Sequence, residues 1–266
     1  MNRFQRGEVI TYYSILHLGY LLLQEKLSFQ RENTTGKIIL YYRIGYAIAK
    51  RLGQEGASVV ISSRKEENVQ KATASLRDDG INAEGLVCHV ANAEHRKKLF
   101  DFAKSKFGGI DILVSNAAVN PAVSPILETD EKVWDKIFEV NVKCSWLLAK
   151  EAYPHLIKRG GGSIVFISSI AAYQPMEPLG PYSVSKTTLI GLTKAIANEI
   201  VHDNVRVNCV APGIVYFSRK SLSIVPMKRF GKPSEIAGAV AFLVSEDASY
   251  MTGETLVVAG GTHARL

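Results

Sequence analysis

Cysteine is scarce in this chain, and its scarcity is the first constraint. Cys88, Cys144 and Cys209 are an odd number, and each sits in or beside an apolar run where a free thiol acts as a small hydrophobe. A disulfide framework is thereby excluded, a reducing compartment is indicated, and no metal site is expected. Long hydrophobic runs are missing too. The stretch ITYYSILHLGYLLL, Ile10 to Leu23, is interrupted by His17 and falls short of the roughly 20 apolar residues that cross a bilayer. Arg3 and Arg6 precede it, but no small-residue cleavage site follows, so a packed or interfacial helix is expected there instead of a secretory signal. Blocks of one charge are also absent. The formal charge is +7, yet Lys and Arg alternate with Asp and Glu, which predicts a solvated basic surface and no nucleic-acid partner.

What the chain does contain is enough apolar material for one globular domain: 47% of its 266 residues are hydrophobic and 21% charged, which argues against disorder. Residues 1–33 do not resemble the rest and read as an appended segment, with the domain proper spanning residues 34–266. Within KIILYYRIGYAIAKRLGQEGASVVISSRK, Lys37 to Lys65, the order is strand, helix, strand, with no glycine-rich turn after the first strand. Strand-like and helix-like segments then alternate through AEGLVCHV, HRKKLFDFAKSKFGG, IDILVSNAA, a long helix from about Asp130 to Arg159, GSIVFISS, the helix after Pro181, and VRVNCVAPG. Strands that are apolar throughout and alternate with helices predict an α/β fold: a doubly wound, Rossmann-type parallel sheet covered on both faces. Ligands bind such sheets beyond the carboxyl ends of the strands. Ser63 and Arg64, Asn116, Ser169, and Pro212 and Gly213 occupy those places.

Ser169 is joined there by the helix PYSVSKTTLIGLTKAIANEI. Tyr182 and Lys186 are four residues apart, so both side chains leave one helical face a turn apart. A phenol with pKa about 10 is a weak acid-base catalyst near neutrality, and a neighbouring ammonium favours its ionised form. Ser169, ending the strand SIVFISS, can hydrogen-bond a substrate oxygen while Tyr182 moves the proton. The pair alone is common in sequences; its position behind the right strand gives it weight.

The ordered set SNAA at Ser115–Ala118, VNV around Asn141, SSIAA, PYSVSK and APG at Ala211–Gly213 resembles the short-chain dehydrogenase/reductase family over residues 37–266. SSRKEENVQKA, VCHVANAE, GGIDILVSNAAVNP and SEDASYMTGETLVVAGGT are similar, more narrowly, to its peroxisomal NADP-dependent carbonyl and retinal reductases. The resemblance implies a catalytic set of Asn141, Ser169, Tyr182 and Lys186. Tyr182 would be the general acid in carbonyl reduction and the base in alcohol oxidation. Lys186 would hold the nicotinamide ribose, Ser169 would orient the carbonyl, and Asn141 would hold a water of the proton relay. The cofactor site it implies comprises Ile44, Gly45, Ser63, Arg64, Asn116, Tyr182, Lys186, Pro212, Gly213 and Ile214. Because Ser63 stands where NAD-preferring folds carry an acid and Arg64 follows it, NADP(H) is the expected cofactor. His89 is shared with the narrower group and is given no special role.

The chain departs from the family pattern twice. Aligned on Ile44 and Gly45, it reads IILYYRIG, so Tyr41, Tyr42 and Arg43 stand near the turn that the family fills with glycines, and the phosphate cradle is altered. After Val215 the substrate-covering segment is short and carries Tyr216 and Phe217. The tail Ala264, Arg265, Leu266 resembles a relaxed peroxisomal address read by an import receptor; the cytoplasm is the alternative. Taken together, the expectation is an NADP(H)-dependent oxidoreductase acting on ketones, dicarbonyls, retinal or the corresponding alcohols, as a dimer or tetramer. The alternative is a catalytically inactive variant that retains the fold and the oligomer interface.

Overall fold

In the computed structural model, which describes residues 8–12, 43–215 and 223–262, seven strands form one sheet in the order β3-β2-β1-β4-β5-β6-β7. The strands are β1 (Glu8–Tyr12), β2 (Ser58–Ser63), β3 (Ala83–Val87), β4 (Ile112–Ser115), β5 (Gly162–Ile167), β6 (Val205–Pro212) and β7 (Thr255–Val258). Every pairing is parallel. The strand order reverses between β1 and β4, which is where a doubly wound sheet opens its ligand crevice.

The helices explain why both faces are dry. α1 (Arg43–Gln54), α2 (Glu66–Asp78) and α7 (Pro233–Val244) cover one side; α3 (Ala93–Phe107), α5 (Cys144–Lys158) and α6 (Gly180–Ile200) cover the other. β5 shows the consequence for sequence. Ile164 and Phe166 pack into the core with α3, α5 and α6, while Val165 and Ile167 pack with α1 and α7, so alternate residues face opposite ways and all must be apolar. Fully burying side chains of this size contributes about 1.5–3 kcal/mol each.

The expected strands and helices from Ala57 to Gly213 are present. α7 and β7 complete the sheet beyond them.

Two expectations are corrected. First, the strand between β2 and β4 is β1, Glu8–Tyr12, inside the segment expected to be an appendage and overlapping the run expected to be helical. The reason lies in the ladder. Residues 8–12 hydrogen-bond on both sides, with Ile10 opposite Val60 of β2 and Leu113 of β4, and Val, Ile, Thr and Tyr in EVITY favour a pleated backbone. Lys37–Leu40 lies outside the described residues.

Second, the long helix of residues 130–159 is not uniform. α4 (Glu131–Phe138) passes through a π-helical turn, Glu139–Lys143, into α5. Such single-turn bulges are frequent at functional sites. Asp130 accepts from the backbone N–H of Lys132 at the start of α4, 2.8 Å away, and so caps that helix.

Candidate active site

The carboxyl end of β5 meets the first turns of α6. Pro181, in the first turn of α6, lacks the N–H that would have no partner there, which fits it to that place. Ser168, just past β5, donates its hydroxyl to Lys186 O at 2.7 Å and its N–H to Val210 O of β6 at 2.8 Å. Strand, helix and neighbouring strand are thereby fixed at one point. Ser169 is extended and caps a short turn, Ile170–Ala172; its Oγ accepts from the Ala171 N–H at 3.1 Å. That leaves the hydroxyl proton available to donate.

Lys186 is 2% exposed, and its Nζ donates to Ile167 O at 2.7 Å. Nζ also lies 5.6 Å from the centroid of the half-buried Tyr182 ring. Burial pulls the Lys186 pKa down to about 8, with Cys209 beneath it acting weakly in the opposite direction.

Asn141 sits in the π turn and is fully buried. Its Oδ1 accepts from Val119 N at 2.7 Å, and its Nδ2 donates to Val119 O and to Ser185 Oγ, each at 3.0 Å. Ser185 in turn donates to Tyr182 O at 2.7 Å. One amide thus ties the loop after β4 to the helix that carries Tyr182 and Lys186. The carbonyl of Asn141 accepts from Ser145 Oγ at 2.9 Å. Asn141 is thus linked through Ser185 to the helix that carries Tyr182 and Lys186, and Lys186 is bonded to Ile167 and Ser168, the residues just before Ser169. Ser185 and the Val119 peptide are partners that sequence reasoning missed. Ser185 lies within the PYSVSK motif, three residues from Tyr182; the π turn has no sequence signal.

The remaining candidates lie along the same edge of the sheet. Ser63 ends β2, 1% exposed, and its Oγ has no hydrogen-bond partner among the described residues; Arg64 follows, half-buried. Arg64 and Lys136, together with burial, hold the His89 pKa below its ordinary value, with burial the largest cause. Asn116 follows β4 and is half-buried. Pro212 ends β6, and Gly213 passes so near β7 that a Cβ would lie 2.5 Å from Ala259 Cα. Ile214 O accepts from Gly231 N at 3.0 Å, and Ile214 lines a cavity of about 360 Å³ with Val225, Met227 and Ala259.

Ile44 and Gly45 open α1, where Gly45 is buried and Ile44 packs against the core beside Val215. Residues 13–42 separate β1 from α1, where connections of 2–6 residues are usual. The altered turn at Tyr41 and Tyr42, the lid residues Tyr216 and Phe217, and the tail Ala264–Leu266 lie outside the described residues. No helix among the described residues is long and apolar enough to cross a membrane.

Residues 42–263 match the family described as enoyl-(acyl carrier protein) reductase. Among curated proteins, the chain is 54% identical over 235 residues to dehydrogenase/reductase SDR family member 4 of Bos taurus, covering 84% of each. It is 48% identical over 259 residues to the Sus scrofa protein of that name, covering 92% of this chain and 89% of that one. Tropinone reductase-like 3 of Erythroxylum coca is 54% identical, covering 84% of this chain and 90% of that one. A solved structure described as a short-chain alcohol dehydrogenase from Sinorhizobium meliloti 1021 superposes with a TM-score of 0.82 at 29% identity, covering all of both chains.

Proposed function

Because the chain belongs to the short-chain dehydrogenase/reductase family, we propose that it is an NADP(H)-dependent oxidoreductase that reduces ketones, dicarbonyls or retinal, or oxidises the corresponding alcohols. The observation that carries this reading is the buried Lys186 ammonium 5.6 Å from the Tyr182 ring at the end of β5. The described residues fit a nicotinamide cofactor: an orphaned buried hydroxyl at Ser63, the close backbone approach at Gly213, and a desolvated ammonium at Lys186. Lys186 and Tyr182 would hold its nicotinamide ribose, and Asn116, Pro212, Gly213 and Ile214 would flank it. Ile44 and Gly45 would face its phosphates. When bound, this cofactor supplies or accepts the hydride.

The chain's own residues supply position and protons. Ser169 Oγ donates to the substrate oxygen and orients it. Tyr182 delivers the proton to that oxygen in reduction and removes it in oxidation. Lys186 lowers the cost of the phenolate that results. Asn141 fixes the Tyr182 helix against the loop after β4, and its carbonyl would hold a relay water. The preference for NADP(H) over NAD(H) rests on Arg64 following a serine in place of an acid at residue 63. The Ala264–Leu266 tail supports a peroxisomal address, and the family supports a homodimer or homotetramer.

Titration of the purified protein with NADPH, followed by fluorescence, tests the reading. Micromolar binding, tighter than that of NADH, is expected. A folded protein that binds neither cofactor would instead be a catalytically silent member. That second reading is motivated by Arg43 standing in place of the middle glycine immediately before Ile44 and Gly45, with Ile38 and Ile39 where the turn should begin and Tyr41 and Tyr42 adding bulk.

A further inference from the structure

We propose that Ser145, backed by Ser115, is a positioning residue for proton return to Tyr182: its hydroxyl sets the direction of the Asn141 carbonyl. This assignment rests on the oxidoreductase reading above, in which that carbonyl holds the relay water. Ser115 ends β4 and Ser145 lies in the first turn of α5; they are 2% and 1% exposed. Ser115 Oγ donates to Ser145 Oγ at 3.2 Å, and Ser145 Oγ donates to Asn141 O at 2.9 Å. A carbonyl can only accept, so the single Ser145 proton goes to it and Ser115 supplies the other bond.

A helical serine can bond back to the carbonyl four residues earlier with no further role. The surroundings of Ser145 go beyond that habit. Its target lies in the π turn, where the helical register shifts and Cys144 N reaches Glu139 O, five residues back. Its hydroxyl is in turn met by a second hydroxyl from a different element, the end of β4. Asn141 is consequently held twice, its side chain by Val119 and Ser185 and its carbonyl by Ser145. Alanine at 115 and 145 would spare the hydration that two buried hydroxyls lose.

A backbone carbonyl has two acceptor sites. Ser145 occupies one and leaves the other, in a fixed direction, for one water. In the proposed reduction Tyr182 gives its proton to the substrate oxygen and must regain one before the next turnover. Without the Ser145 hydroxyl the carbonyl is free to swing or to take a second water, and proton return slows while substrate binding does not change.

Full-length wild type, Ser145→Ala, Ser145→Thr, Ser115→Ala and the double alanine variant would be assayed with NADPH and benzil in water and in deuterium oxide. In Ser145→Ala, kcat is expected to fall about fivefold, the worth of one neutral hydrogen bond, with KM unchanged. The solvent isotope effect on kcat should grow, because proton return then limits turnover. Ser145→Thr keeps the hydroxyl and should restore both. Ser115→Ala acts only through Ser145, so its smaller loss should vanish in the double variant. Without cofactor or turnover, hydrogen exchange of the peptide spanning residues 116–120 should quicken in Ser145→Ala, since Asn141 holds the Val119 N–H. If Ser145→Ala does not fold, Ser145→Cys gives the same comparison through a weaker donor. An isotope effect shared by wild type and variant, a Ser115→Ala loss that persists in the double variant, or unchanged exchange overturns the assignment. Wild type that reduces neither benzil nor retinal is a separate failure: it sinks the oxidoreductase reading and the proton-return role with it, and exchange still decides whether Ser145 holds the turn.

Discussion

Lys186 is the residue whose burial is hardest to explain without chemistry. A lysine surrounded by β5, β6 and its own helix gains little packing that a methionine would not provide, and its charged form loses hydration. Its pKa is pulled to about 8 from an ordinary 10.5, which gives the sign of its effect on folding. Below about pH 8 the group is charged both folded and unfolded, and the full burial penalty applies. Between about 8 and 10.5 the unfolded chain binds the proton more tightly, so stability contributed by this group rises with pH. Lys186→Met is therefore expected to be more stable than wild type at pH 7, by on the order of 3 kcal/mol. That advantage should shrink as the pH approaches 10. Urea unfolding of both proteins at pH 7 and 10 measures it, and a constant difference would contradict the burial argument. Tyr182→Phe removes only the phenolic oxygen: carbonyl reduction is expected to fall about 100- to 10,000-fold, with a much smaller change in NADPH affinity by fluorescence titration. Both residues were legible in the sequence because a four-residue spacing on a helix is a geometric statement. Ser185 was not, since nothing in a serine's neighbours announces which amide it will meet across the loop.

Among the elements, the π turn between α4 and α5 has the least sequence signal and the greatest structural consequence. The long helix of residues 130–159 was legible as a periodic apolar stretch, but an inserted residue in the hydrogen-bond ladder leaves that period almost unchanged. What the turn accomplishes is seen only in three dimensions. It carries Asn141 into contact with Val119 and Ser185, so the loop after β4 and the start of α6 move as one. Asn141→Leu keeps the side-chain volume, strands the Val119 N–H and the Val119 carbonyl, and takes one donor from the Ser185 hydroxyl, which keeps its bond to Tyr182 O. Unsatisfied buried groups cost about 1–3 kcal/mol each, so a loss of about 2–4 kcal/mol is expected after partial relaxation. Reduction should fall alongside it, even well below the unfolding transition. A variant with lower stability but full kcat would show that the amide serves packing alone.

At the scale of the molecule, the sheet was readable from β2 onward because apolar strands alternate with amphipathic helices, and each strand buried on both faces needs no polar alternation. The first strand was not. KIIL and EVITY are both short and rich in β-branched residues, and the choice between them turns on which one reaches the gap between β2 and β4, a long-range contact that local pattern does not encode. The two placements differ in consequence. If β1 is Glu8–Tyr12, removing residues 1–12 leaves β2 and β4 with unpaired edges in the middle of a seven-stranded sheet, which neither half can tolerate. Ile10→Pro is the gentler version. It deletes one N–H from a strand that is paired on both sides, where proline is essentially not found. Both variants are expected to yield insoluble or unfolded protein, whereas Ile38→Pro should fold and bind NADPH as wild type does. The opposite pattern, in which Ile38→Pro unfolds and the truncated protein survives, would move the central strand into KIIL. Far-ultraviolet circular dichroism and melting temperature of the three proteins decide it. The same comparison locates the cofactor turn, because phosphate-binding residues in such folds follow the first strand directly. A strand ending at Tyr12 would direct the search into residues 13–42.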